Sequence, residues 1–218
     1  MMAATMPEAR SGEVGWPGAP RSGAALAFRW AKAYHIGEAL LGAWSEEDGM
    51  KLHLMLELDD ASGEDDGEVL PLTAVDTKAM GAAFLDAYLD TIDYEGEGIE
   101  DAIAEVRDLF AGAYGRLHPE VSGCILKNGS VASALIAAES GDGIFIPYVI
   151  TTKGNSGRGF ATRLIKRAIL QAKHGGYRFI DLYVTRGNDR AEGLYRRLGF
   201  RDVPLNRPEQ PPTTDKKP

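Results

Sequence analysis

Strict alternation puts Leu52, Leu54, Leu56 and Leu58 on one face and predicts a strand over residues 50–58. Residues 24–30 read as another strand, and residues 33–44 between the two show no clear period. The acidic, glycine-bearing stretch 59–68 is expected to be a flexible connector, followed by a short strand at 69–73. Helical spacing then takes over. Met80, Phe84, Leu85, Tyr88 and Leu89 make one stripe of a helix over 77–91, capped by Asp76. Ile99, Ile103, Val106 and Phe110 stripe a second helix over 99–110. Residues 121–126 and 130–138, joined around Asn128-Gly129, predict a hairpin, and 143–151 a third consecutive strand, so this part should be antiparallel. A further helix, ending near residue 174, turns Ala161, Leu164, Ile165, Ala168, Ile169 and Ala172 inward. Residues 177–184 read as strand. The last helix, 188–198, is striped by Ala191, Leu194, Tyr195 and Leu198, with Gly199 at the C′ position. The order βααβββαβα is a mixed α/β (α+β) layout.

A length of 218 residues allows one domain, or one with an extension, and an apolar fraction of 44% supports a core. Residues 1–22, with Arg10, Arg21 and several Gly and Pro, are expected to be a disordered leader; the Pro-rich stretch 204–218 is expected to be a disordered tail. Between them lie a β-rich extension with its acidic connector (23–68) and the main domain (69–203). The single cysteine, Cys124, excludes an internal disulfide and reads as a packed thiol, which fits a reducing compartment. No run approaches the roughly 18 apolar residues of a membrane span, so no membrane partner is expected and the cytoplasm is the default location. The four histidines, His35, His53, His118 and His174, are scattered without ligand spacing, and no metal is expected.

The net charge of −8 is unevenly spread. Residues 45–120 hold 21 Asp and Glu against four Lys and Arg, whereas residues 153–201 hold twelve Lys and Arg against three acids. An acidic chain argues against a nucleic-acid partner. The basic segment suggests a compact anionic ligand, and the acidic one a cationic partner.

The basic segment contains a loop with chemical promise. Tyr148, Val149 and Ile150 run through Asn155-Ser156-Gly157-Arg158-Gly159-Phe160-Ala161 into a helix. A strand that reaches a helix start through glycines leaves backbone N–H groups unpartnered beside the positive end of the helix dipole, which favours phosphate. Two further pieces follow at fixed distances. The strand ending at Val184 leads to Asn188, then to Ala191, Leu194, Tyr195, Gly199 and Phe200.

With these pieces in order, residues 69–203 resemble the GCN5-related N-acetyltransferase (GNAT) superfamily. Gly159 and Ala161 match the end of its loop pattern, and Asn188 through Phe200 match its later one. Ser156 stands where the family usually has Arg or Gln, so one long side chain near the pyrophosphate is missing, and Arg158 could supply charge there. The resemblance implies a mostly antiparallel central sheet flanked by helices, acetyl-CoA as co-substrate, and transfer of acetyl to the primary amine of a small acceptor. It allows a homodimer. A non-catalytic acyl-CoA-binding regulatory module of the same fold is the alternative.

By that resemblance, the amides of Ser156, Gly157, Arg158, Gly159, Phe160 and Ala161 cradle the pyrophosphate. The edge formed by Val149, Ile150 and Thr151 pairs with pantetheine, and the Ile150 N–H polarises the thioester carbonyl. Asn188 contacts pantetheine, caps its helix, or does both. Tyr195 is the expected acid for the departing thiolate, although its stripe position also suits a core residue. No general base is visible; Glu95, Glu97 or Glu139 could act through water, and His118 and His174 read as structural or solvent-facing. Asp93, Glu95 and Glu97 in the acidic loop, with Tyr148, are the expected acceptor-binding residues, suited to a polyamine-like, aminosugar or peptide amine.

Overall fold

The computed structural model describes residues 51–65 and 67–203; the leader, the strand expected at 24–30, the stretch 33–44 and the tail 204–218 lie outside the described residues. In chain order come β1 (Lys51–Glu57), α1 (Thr77–Tyr88), α2 (Ile99–Phe110), β2 (Gly123–Lys127), β3 (Ser130–Ser140) and β4 (Gly143–Thr151). They are followed by α3 (Phe160–His174), β5 (Phe179–Thr185), α4 (Asp189–Arg197) and the two-residue β6 (Arg201–Asp202). All the strands among the described residues join one sheet in the order β2-β3-β4-β5-β1-β6. Every pairing is antiparallel except β4 with β5.

Local chemistry sets the helix ends. The Asp76 carboxylate accepts the Ala79 N–H at 2.8 Å, and Asp101 accepts the Gly98 N–H at 2.9 Å. α1 stops at Tyr88, short of the expected residue 91: its cap Leu89 turns to a ψ of 131°, and Asp90 follows with a left-handed φ of +60°. α4 closes through Gly199 at φ +100°: the Phe200 N–H reaches the Tyr195 carbonyl and the Gly199 N–H the Arg196 carbonyl, both at 3.1 Å. One core layer packs Leu54, Ile144, Leu164, Ile165, Leu182 and Phe200 between the sheet and α3 and α4. The other packs Met80, Phe84, Val106, Ala134, Ile136 and Tyr148 under α1 and α2.

Three features differ from the sequence reading. The strand expected at 69–73 is a single bridge: Leu70 exchanges two 2.8 Å bonds with Cys124, and Pro71, lacking an N–H, ends it. β1 is not part of an appended sheet. It lies between β5 and β6 with Leu54 opposite Leu182, so a boundary at residue 69 cuts through the sheet. The connector is not a loose linker either. Glu64, Asp65 and Glu68 pair with Lys166, Arg167 and Arg163 of α3 at 2.8, 3.3 and 2.7 Å. Gly63 sits so close that a Cβ there would lie 2.3 Å from the Leu170 nitrogen. Much of the basic charge read as ligand-binding is therefore matched within the chain.

A fork in the sheet positions the site. β4 and β5 pair only from Gly143–Ile146 to Phe179–Leu182. Pro147 has no N–H to extend the ladder, and the β3–β4 register shifts between Ile136 and Ala138. Beyond that point β4 stays with β3, β5 stays with β1, and among the described residues the outer edge of β4 is left open.

Candidate active site

A cleft of about 560 Å³ opens at the fork. Its walls are the end of α1 with the turn after it (residues 87–93), residues 149–151 of β4, the loop and first turn of α3 (153–162), and α4 with its cap. Of the residues singled out in the sequence, Val149, Ile150, Thr151, Ser156, Gly157, Arg158, Gly159, Phe160, Ala161, Asn188, Tyr195 and Asp93 all line it.

The glycine loop is built around backbone sign. Gly157 and Gly159 have φ of +78° and +79°, and a Cβ at either would meet nothing within 4 Å. Conformation, rather than crowding, demands glycine there. No side chain caps α3, and its first bond runs from the Arg163 N–H to the Gly159 carbonyl at 3.0 Å. The N–H groups just ahead, through Thr162, are the orphan donors of the helix start. The Ser156 amide is not among them; it donates to the Lys153 carbonyl at 3.2 Å, so the cradle starts at Gly157. The Phe160 ring turns away into the core and carries Arg163 and Lys127 over its face.

Strand parity corrects the expected oxyanion donor. Thr152 donates to the Ala132 carbonyl at 3.0 Å, and Ile150 stands opposite Ala134, two residues along the same ladder. Bonded pairs alternate along an antiparallel ladder, so the Ile150 N–H points into β3. Its carbonyl does too, accepting the Ser133 hydroxyl at 2.6 Å. The amides on the open edge are those of Val149 and Thr151.

Tyr195 lies across the cleft on α4, 8% exposed, its ring tilted against Phe200 at 5.7 Å. Burial pushes its phenol well above the ordinary range, so it holds its proton at neutral pH. Among the described residues its hydroxyl has no hydrogen-bond partner, and it is not sealed from the cleft as the orphan oxygens of Glu97 and Asp181 are. Asn188 accepts the Ala191 N–H at 3.2 Å through its side-chain oxygen, leaving its amide nitrogen for the cleft.

Two arginines that the sequence reading passed over, Arg190 and Arg197, also line the cleft with Arg158. Among the described residues none of the three has an ion-pair partner, whereas Arg163, Lys166, Arg167, Arg178 and Arg196 all do. The spacing Arg190, Leu194, Arg197 is helical and could have placed them beside Ala191 and Tyr195.

The end of the cleft expected to take the acceptor differs most from the sequence reading. Asp93 lines the cleft, but its carboxylate accepts the Thr185 hydroxyl at 2.5 Å. Glu95 is exposed and Glu97 is 6% exposed, one of its oxygens accepting the Glu95 N–H at 3.0 Å. Neither reaches the cleft. Tyr148 is also withdrawn: it donates to the buried Glu105 at 3.0 Å, beside Tyr114, which donates to the same oxygen. Tyr88 and Leu89 stand at this end instead. Among the described residues no group of His, Cys, Asp and Glu could hold a metal ion, and no helix is long and apolar enough to cross a membrane.

Residues 80–200 match the model described as Acetyltransferase (GNAT) family. Among solved structures, a GCN5-related N-acetyltransferase from Sphaerobacter thermophilus is similar at a TM-score of 0.53 and 19% identity, over 70% of this chain and 48% of that one. A GNAT-family acetyltransferase from Colwellia psychrerythraea gives 0.51 and 13%, over 70% and 52%. PH1933 from Pyrococcus horikoshii OT3 gives 0.50 and 15%, over 71% and 92%. This chain thus spans about half the length of the first two, and at such identities the likeness is one of fold. No curated protein matches the chain.

Proposed function

We propose that this chain, which belongs to the acetyltransferase (GNAT) family, is an acetyl-CoA-dependent N-acetyltransferase that moves an acetyl group to the primary amine of a small acceptor. One observation supports the reading above the rest. The unpartnered Tyr195 hydroxyl, the uncapped start of α3 and the open edge of β4 line a single cleft.

Each part has a task in that chemistry. The amides from Gly157 to Thr162, with Arg158, Arg190 and Arg197, hold the diphosphate and phosphate charges of the co-substrate. The missing long side chain at Ser156 is offset by these guanidinium groups. Val149 and Thr151 offer the pantetheine arm a strand edge, and one of their N–H groups stabilises the oxyanion that forms when the amine nitrogen attacks the thioester carbonyl. The C–N bond forms first, and the C–S bond breaks as the tetrahedral intermediate collapses. Tyr195 gives its proton to the sulfur, and the proton shed by the amine restores the phenol. The cytoplasmic location and the homodimer expected from the sequence belong to the same proposal.

The test is a screen of primary amines with acetyl-CoA, following thiol release with wild type and Tyr195→Phe. Turnover that falls in the variant while coenzyme A still binds supports catalysis. A non-catalytic acyl-CoA sensor is the competing reading, favoured because the carboxylates that line the cleft among the described residues, Asp90 and Asp93, are already held by Lys153 and Thr185. It requires coenzyme A binding with no turnover of any amine.

A further inference from the structure

The acidic run that suggested a polycationic acceptor is largely committed to the chain's own structure. Asp86 accepts the Lys153 N–H at 2.7 Å, and Asp90 pairs with the Lys153 ammonium at 2.6 Å. Asp93 is held by Thr185, Glu97 by the Glu95 amide, Asp101 by the Gly98 amide, and Glu105 by two phenols. The cleft that Asp90 and Asp93 line also carries an apolar set, Ala87, Leu89, Ala191 and Leu194, with the rings of Tyr88 and Tyr195. From this inventory we infer that the acceptor is a primary monoamine carried on an apolar or aromatic body, rather than a polyamine or aminosugar. The inference rests on the acetyltransferase reading and narrows its substrate class.

Two physical arguments carry it. A polycation gains little here, because the two carboxylates that line the cleft, Asp90 and Asp93, stand among four cations that line it too, Lys153, Arg158, Arg190 and Arg197. A single amine, by contrast, profits from poor solvation, which disfavours the ammonium and favours the neutral nucleophile that attack requires. The apolar lining of the cleft, Ala87, Leu89, Ala191 and Leu194, supplies that poor solvation. Lys51, which does not line the cleft, shows that burial in this chain can outweigh nearby acids: loss of solvent holds it below the ordinary lysine range although Asp93 and Glu95 oppose the shift.

The experiment compares phenethylamine, ethylamine and spermidine as acceptors for the full chain with acetyl-CoA, reading kcat/KM from thiol release. Phenethylamine should exceed each of the others by about tenfold or more, the worth of two buried methylenes. Leu89→Ser should cut its kcat/KM severalfold and leave coenzyme A affinity unchanged. Spermidine turned over as well as, or better than, phenethylamine overturns the inference. If no amine is turned over, calorimetry on the coenzyme A-loaded protein decides. Tighter phenethylamine than spermidine upholds the class of amine that the cleft takes and sinks acetyl transfer; the reverse order, or no binding of either amine, sinks the inference.

Discussion

Tyr195→Phe separates chemistry from architecture because the hydroxyl it removes has no protein hydrogen bond among the described residues. The ring keeps its tilted contact with Phe200 at 5.7 Å, so packing is preserved. Stability should be unchanged or rise by up to about 1 kcal/mol, since a poorly solvated phenol oxygen is replaced by hydrogen. Turnover should fall. A positioned general acid contributes about 10²- to 10⁴-fold. The leaving thiolate has a conjugate acid near 8.5, only slightly above neutral pH, so unassisted departure is not prohibitive and the lower end applies. The expected loss in kcat is therefore about 10²-fold, or roughly 2.7 kcal/mol of transition-state stabilisation. Coenzyme A affinity should stay within about threefold, less than one ordinary hydrogen bond. Thiol release, calorimetry and thermal melting on the same preparations read all three quantities. A variant that keeps more than half the wild-type kcat refutes the assignment, as does one whose activity, affinity and melting temperature fall together.

Other expectations concern the supports of the site. Tyr148→Phe withdraws one of the two phenols that donate to the buried Glu105 and should cost about 1–3 kcal/mol in urea unfolding, with an unchanged slope; an unmoved midpoint would show that bond to be worth nothing. Gly63→Ala drives a Cβ to 2.3 Å from the Leu170 nitrogen and should lower the melting temperature by about 3–10 °C. Gly154→Ala, which meets nothing within 4 Å, is its silent control. Burial raises Tyr88, Tyr148 and Tyr195 above the ordinary phenol value of 10.0. Above pH 10.0 the unfolded phenols release protons that the folded ones retain, so stability should fall as pH rises beyond that value, and stability that stays flat there would contradict the burial.

How far the sequence could be read depended on the range of the interactions involved. The helix over residues 99–110 and the strand over 143–151 were legible because their signals, stripe and cap or a run between turns, are local. That the glycine loop and Tyr195 line one cleft was legible because a family pattern fixes their spacing. The place of β1 between β5 and β6 was not, since pairing across more than a hundred residues leaves no periodic mark. The same holds for the connector: six acids with two glycines read as solvated chain until the basic face of α3 lies opposite them. Choosing Ile150 over Val149 failed for a narrower reason. Neighbouring amides on a strand point in opposite directions, and only the register with β3 says which faces the fork. The acidic loop misled because capping and ligand binding use the same carboxylates.

The most direct test is calorimetric titration of coenzyme A into the folded chain and into a variant carrying Arg158→Gln, Arg190→Gln and Arg197→Gln. If amides turned outward at the fork and three unpaired guanidinium groups hold the phosphates, the wild type should bind in the micromolar range. The triple variant should then weaken by about 10²-fold or more, as expected for losing charge-assisted hydrogen bonds. No heat from the wild type at millimolar coenzyme A would contradict the account, and so would a triple variant that binds as the wild type does.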